Sequence, residues 1–89
     1  MTTIKIKNGF PNIGGNGILF VCQLLYGKLK DNDFLILNEG NKIQIKEVEN
    51  IVSETDFKEF SFVIPREFEN ITNWFELYGT NLNVENINN

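Results

Sequence analysis

The chain has 89 residues, with 12 acidic against 8 basic side chains, a net charge of −4, one cysteine and no histidine. That length gives one domain and excludes an active site set in a cleft between two. The lack of histidine excludes Ser-His-Asp and Cys-His nucleophile pairs, and one cysteine alone cannot supply a Cys/His zinc site.

Ile4-Lys5-Ile6-Lys7 alternates apolar and basic residues, the period-2 pattern of a strand with one wet face. Residues 8–17, with four glycines and Pro11, read as a loop or a sharply bent connection. Residues 18–26 are apolar on both faces apart from Gln23, as in a central strand covered on both sides, and Gly27 breaks the run. Phe34-Leu35-Ile36-Leu37 is a short apolar strand between two clusters of turn formers. Asp31-Asn32-Asp33 precedes it, and Asn38-Glu39-Gly40-Asn41 follows as a hairpin signal. Lys42-Ile43-Gln44-Ile45-Lys46 alternates and then slips phase at Val48, which places a bulge near Lys46-Glu47. Residues 60–64 alternate again and stop at Pro65. Phe68, Ile71, Phe75 and Tyr78 then recur at three- and four-residue steps, predicting one short helix or helical turn. Glu67 and Glu69 suit its start, and Gly79 suits the position after its end. Leu82 and Val84 form a last strand, and residues 85–89 are expected to fray.

Several of these positions share a characteristic spacing. Phe10 and Ile13 lead into Gly15-Asn16-Gly17, an apolar strand follows, and Gly27 stands ten residues after Gly17. Leu29-Lys30 and Asn32-Asp33 precede the next strand. Lys42, Ile43, Ile45 and Val48 then keep a basic-apolar-x-apolar-x-x-apolar step. In this order they resemble domain 2 of translational GTPases such as elongation factor Tu, with no gap between Gly15 and Leu37. Cys22 and Asn32 stand where that family usually has glycine. After Ile51 only Leu77-Tyr78-Gly79-x-x-Leu82 continues the match, so about half the chain is covered. The resemblance implies a mainly β fold, a small antiparallel, Greek-key-like β-barrel, here with one short helix or helical turn over residues 1–89. It also implies docking to a GTPase domain, to aminoacyl-tRNA or to ribosomal RNA. The residues themselves give an independent reason for the turns. Gly27 and Asn32 tolerate the positive φ that tight turns require, and Asp33 can bond its own turn backbone. With Gly15 and Gly17 they are the expected structural turn residues.

Gly14-Gly15-Asn16-Gly17 offers consecutive amides to an anion. A strand rather than a helix follows it and no lysine is near, so a bend between strands is expected. No Gly-x-x-x-x-Gly-Lys-[Ser/Thr] loop is present. Asp31-Asn32-Asp33 opens like a calcium loop, yet Leu35 and Ile36 occupy the next ligand and glycine positions. Glu47, Glu49, Glu54, Asp56 and Glu59 read as a solvated acidic stretch, because a catalytic pair needs environments that split two pKa values. Cys22, in the most apolar strand, reads as an inert core residue and suits a reducing compartment. No cofactor and no metal are expected.

Lys28, Lys30, Lys42 and Lys46, with Lys5 and Lys7, fall in the half of the chain where acids are few. They are either wet strand faces with edge protection or a modest basic patch facing an acidic second half. Trp74 and Tyr78, with Phe75, either plug the end of the barrel or anchor an interface. The four lysines, Trp74 and Tyr78 are the candidate interface.

No apolar run reaches the length of a signal peptide or a membrane span, so a cytoplasmic protein with no membrane partner is expected. An acidic pI near 4.7 weighs against general nucleic-acid binding. The expected function is a non-catalytic module that docks to a protein or ribonucleoprotein partner, with RNA or the ribosome implied by the resemblance alone. The alternative is an unrelated acidic interaction protein, such as an immunity-type inhibitor that masks a basic partner. An enzyme using only carboxylates is a third reading. Titrating GTP or ATP into the protein in a calorimeter is expected to give no binding heat. Micromolar affinity would show that the glycine run is a phosphate site after all.

Overall fold

The computed structural model describes residues 2–11, 17–37, 40–51, 58–71 and 73–87. Seven strands carry the fold: β1 (Thr2–Pro11), β2 (Ile18–Tyr26), β3 (Phe34–Ile36), β4 (Lys42–Gln44), β5 (Lys46–Ile51), β6 (Glu59–Ile64) and β7 (Asn81–Glu85). They form one antiparallel sheet in the order β4-β3-β7-β1-β2-β6-β5. The alternation read from the sequence puts Ile4, Ile6, Phe20, Cys22, Leu35, Ile43, Phe62, Ile64 and Val84 in one fully buried core.

The two edge strands, β4 and β5, are consecutive in sequence and only Ile45 separates them. One short segment therefore pairs with β3 at its start and with β6 at its end. A flat sheet would hold those partners many strands apart, so the sheet curls into a half-barrel whose edges approach each other at Ile45.

The turn Asp31-Asn32-Asp33 holds that closing point. The Asn32 amide donates to the Ile45 carbonyl at 2.9 Å, and the Ile45 amide donates to the Asp33 carbonyl at 2.9 Å. The expected bulge lies just beyond. The β5–β6 register shifts between Lys46 and Glu49, and Glu47 takes φ 50°. The Val48 amide that follows donates to Asp31 Oδ1 at 2.6 Å. Asp33 bonds its own turn as anticipated, accepting from the Lys30 amide at 2.9 Å. The second turn cluster also forms its hairpin, with the Leu37 amide on the Asn41 carbonyl and β3 paired to β4; residues 38–39 lie outside those described.

Several expectations need correction. β1 does not stop at Lys7, because a register shift between Ile6 and Asn8 lets Asn8, Gly9 and Phe10 pair with Val21, Phe20 and Leu19. Gly9 is needed there for space: a Cβ would lie 2.7 Å from the Phe20 ring. Of the predicted loop, residues 12–16, including Gly14 and Gly15, lie outside those described. β2 is covered on both sides only in part, since Leu25 and Tyr26 are exposed at its end. Gly27 has the expected positive φ, 88°, and Asn32 has 73°. The connection they bound is not a tight strand-to-strand turn, however, because β1 and β7 lie between β2 and β3.

The short helix or helical turn expected over residues 66–78 takes the form of two separate 3-10 turns, Arg66–Phe68 and Trp74–Leu77. Pro65 starts the first turn. The sequence Asn70-Ile71-Thr72-Asn73 disfavours a continuous helix, and the Asn73 side chain caps the second turn by accepting from the Phe75 amide at 3.2 Å. β7 is an interior strand between β3 and β1. Its tail does not fray at Asn86 and Ile87: Asn86 Nδ2 and the Ile87 amide donate to the Asp33 carboxylate at 2.8 and 3.0 Å. Residues 88–89 lie outside those described.

Gly17, at the start of β2, is the tightest point. It has φ 90°, and a Cβ would fall 1.8 Å from the Ile64 carbonyl oxygen. Gly17→Ala combines left-handed strain of about 1–2 kcal/mol with an overpacking cost of about 1–3 kcal/mol. The total stability of a domain this size is only roughly 5–10 kcal/mol. Gly79→Ala, at φ 80° with nothing within 4 Å of the new Cβ, carries the strain alone. Urea denaturation followed by circular dichroism is expected to show a clearly larger drop in midpoint for Gly17→Ala. Equal midpoints would mean that Gly17 is not wedged against the end of β6.

Candidate functional site

The two ends of the curled sheet differ in chemistry. At one end, Thr2 Oγ1 donates to the Lys28 carbonyl at 2.6 Å and accepts from the Lys28 amide at 3.0 Å. Asn86 Nδ2 joins the same carbonyl at 2.9 Å. Thr2 and Asp33 are fully buried there, so this end is a closed polar plug.

The other end is apolar and open. The Phe20 ring lies 5.7 Å from Phe62 and 5.2 Å from Trp74, centroid to centroid. Trp74 is only 7% exposed, and its Nε1 donates to the Glu69 carbonyl at 3.0 Å. The same indole therefore closes the core and fixes the backbone of the segment between the two 3-10 turns. Tyr78 packs edge-on against Phe75 with centroids 5.6 Å apart, and its hydroxyl donates to the Gly9 carbonyl at 3.1 Å. Between β1, the start of β2 and the second 3-10 turn lies a groove of about 430 Å³, lined by Phe10, Phe20, Glu69, Trp74, Phe75, Tyr78 and neighbouring backbone. Phe10 and Phe75 stand at its mouth, 47% and 76% exposed.

The structure does not gather the candidate interface residues into one surface. Trp74 and Tyr78 meet in the groove, where Trp74 is wall rather than surface anchor. Lys28 and Lys30 are exposed beyond the far end of β2, a strand whose nine residues span roughly 25–30 Å. Lys42 pairs with Glu85 at 2.6 Å, and Lys46 Nζ donates to Asn32 Oδ1 at 2.6 Å and Gln44 Oε1 at 3.2 Å. Of the turn residues, Gly17, Gly27, Asn32 and Asp33 have structural tasks in the fold, and Gly15 lies outside those described.

The sequence left Phe75 either as a plug or as an interface anchor and gave no sign that Phe10 is exposed. The adjacent pair Trp74-Phe75 carried a signal, because neighbours on a tight helical turn do not both face one core.

The acidic stretch offers little chemistry. Glu47 and Glu49 are exposed on β5, Glu59 begins β6, and Glu54 and Asp56 lie outside the described residues. Among the described residues no group of three or more His, Cys, Asp and Glu side chains is placed to hold a metal ion. Burial pushes the Cys22 thiol up to about 12; the Glu59 charge adds to the rise, and a backbone hydrogen bond from Phe60 opposes it. Such a thiol stays protonated and is neither nucleophile nor ligand at neutral pH. No helix among the described residues is long and apolar enough to cross a membrane.

The groove separates packing from display. Trp74→Ala removes a buried ring and is expected to cost about 3–5 kcal/mol, whereas Phe75→Ala should stay within about 0.5 kcal/mol of the wild type. Urea midpoints read by circular dichroism check both. A large loss for Phe75→Ala would make that ring a packing residue.

Compared with family models, with curated proteins and with solved structures, the chain matches none of them.

Proposed function

We propose that the protein is a non-catalytic binding module that docks a protein partner through the aromatic groove, in a manner resembling domain 2 of translational GTPases. The observation that carries this reading is the pair Phe10 and Phe75, 47% and 76% exposed at the mouth of a groove whose floor is already packed. Exposed aromatics beside a preformed concavity are the usual anchors of protein interfaces. The translation-factor likeness rests on the sequence spacing of positions such as Gly17, Gly27 and Asn32, which take positive φ here.

A protein surface suits the groove better than RNA. No lysine or arginine lines it and Glu69 does, whereas phosphate recognition needs cations. A ribonucleoprotein partner would accordingly be met through its protein. The buried, protonated Cys22 suits a cytoplasmic setting. The second reading, an acidic inhibitor of a basic partner, is favoured by Glu69 in the groove and the net charge of −4.

Affinity capture from a native lysate distinguishes the surfaces. Phe10→Ala combined with Phe75→Ala is expected to weaken capture of the partner by about tenfold or more, while Lys28→Ser combined with Lys30→Ser leaves it intact. The reverse result would move the docking surface to the lysine end. Ribosomal or GTPase partners support the translation-type reading, and one basic partner supports the inhibitor.

A further inference from the structure

We infer that the groove receives a cationic side chain of the partner, an arginine or lysine within a short apolar segment, with its stem against the aromatic rings and its charge at Glu69. This rests on the docking reading above and adds the chemistry of what is docked.

Three observations converge on it. First, Phe10, Phe75, Tyr78 and Trp74 present ring faces and edges to one space, and aromatic faces attract a cation within about 6 Å of the ring centre. Second, Glu69 is the one charged residue among the described residues that line that space. Among the described residues the ion pair within 4 Å is Lys42–Glu85, on other strands, so no lysine or arginine there neutralises Glu69. The Trp74 Nε1 bond to the Glu69 carbonyl holds this residue's backbone against the indole at the groove wall.

Third, the surroundings have the same sign. Glu76 lies on the second 3-10 turn, which borders the groove, and Glu67 on the first, and neither lines it. Arg66, the basic residue of these turns, is exposed and does not line it. An anionic segment would meet Glu69 unpaired, and a purely apolar segment would bury that carboxylate without a partner. A guanidinium or ammonium on an aliphatic stem satisfies both parts of the site, its methylenes covering the rings and its head reaching the rim.

Trp74 is the only tryptophan, so its emission reports on the groove directly. The probe is the acetylated, amidated tripeptide Leu-Arg-Leu, compared with the same peptide carrying citrulline, the uncharged isostere of arginine. Leu-Arg-Leu is expected to give a saturable change in emission. Affinity should fall about five- to tenfold for the citrulline peptide on the wild type, and by a similar factor for Leu-Arg-Leu on Glu69→Gln. If Glu69→Gln fails to fold, the citrulline comparison on the wild type still decides.

Equal affinity for the two peptides overturns the cationic proposal and leaves an apolar docking groove standing. No saturable change with either peptide also overturns it. The docking reading falls as well only if the Phe10 and Phe75 double variant captures the partner as the wild type does.

Discussion

A carboxylate buried without a cation is the interaction on which the rest of this fold depends. Asp33 is 0% exposed, and its two oxygens accept three N–H donors, from Lys30, Asn86 and Ile87. A buried charge is tolerable only when hydrogen bonds replace its lost water, and these come from two stretches of the chain, residue 30 and residues 86–87. The backbone of the same turn grips Ile45 from both sides, and Asp31 takes the free amide at the bulge. One turn therefore fixes the meeting point of the two sheet edges, the kink that re-aims β5, and the end of β7. Without it the short β4 would be a three-residue edge with little to hold it in place.

Closing one end with polar groups leaves the other to be closed by aromatics. The two 3-10 turns bring Trp74 onto Phe20 and set Tyr78 against β1. β7 pairs with Thr2, Thr3, Ile4 and Lys5 only, so the last residues of β1 have a free edge. That edge is blunted. The Gly9 carbonyl accepts the Tyr78 hydroxyl, the Gly9 amide donates to Asn8 Oδ1 at 2.9 Å, and Pro11 has no amide hydrogen to offer. A partner strand would find few backbone groups to bond. Strand addition is thereby disfavoured at this end.

Strands were legible in the sequence wherever their cause was local. The alternation at Ile4 and Ile6, the phase slip at Val48 and the turn formers around Gly40 each act within a few residues, and each yields the element expected. What depended on distant pairing was not legible. Nothing near Leu82 and Val84 says that their strand enters between β3 and β1, or that Asn86 meets Asp33 across 53 residues. The structural task of the triplet Asp31-Asn32-Asp33 became visible only with Ile45 and Val48 beside it. The three- and four-residue steps over residues 66–78 suggested one helix, although two separate turns satisfy the same spacing. The candidate lysines do not line the groove where Trp74 and Tyr78 meet, and the exposure of Phe75 depended on Trp74 claiming the inward position.

That last exchange decides the character of the groove. Phe20, Phe62 and Trp74 pack against one another, so the floor is rigid before any partner arrives, and little side-chain freedom remains to be lost there on binding. Phe75 contributes one contact with Tyr78 and otherwise faces solvent, a placement that folding alone does not require of a large apolar ring. The core is already satisfied without it, with no buried side-chain polar atom lacking a partner among the described residues. A large ring that the core packing does not require is thereby left standing over a fixed aromatic floor.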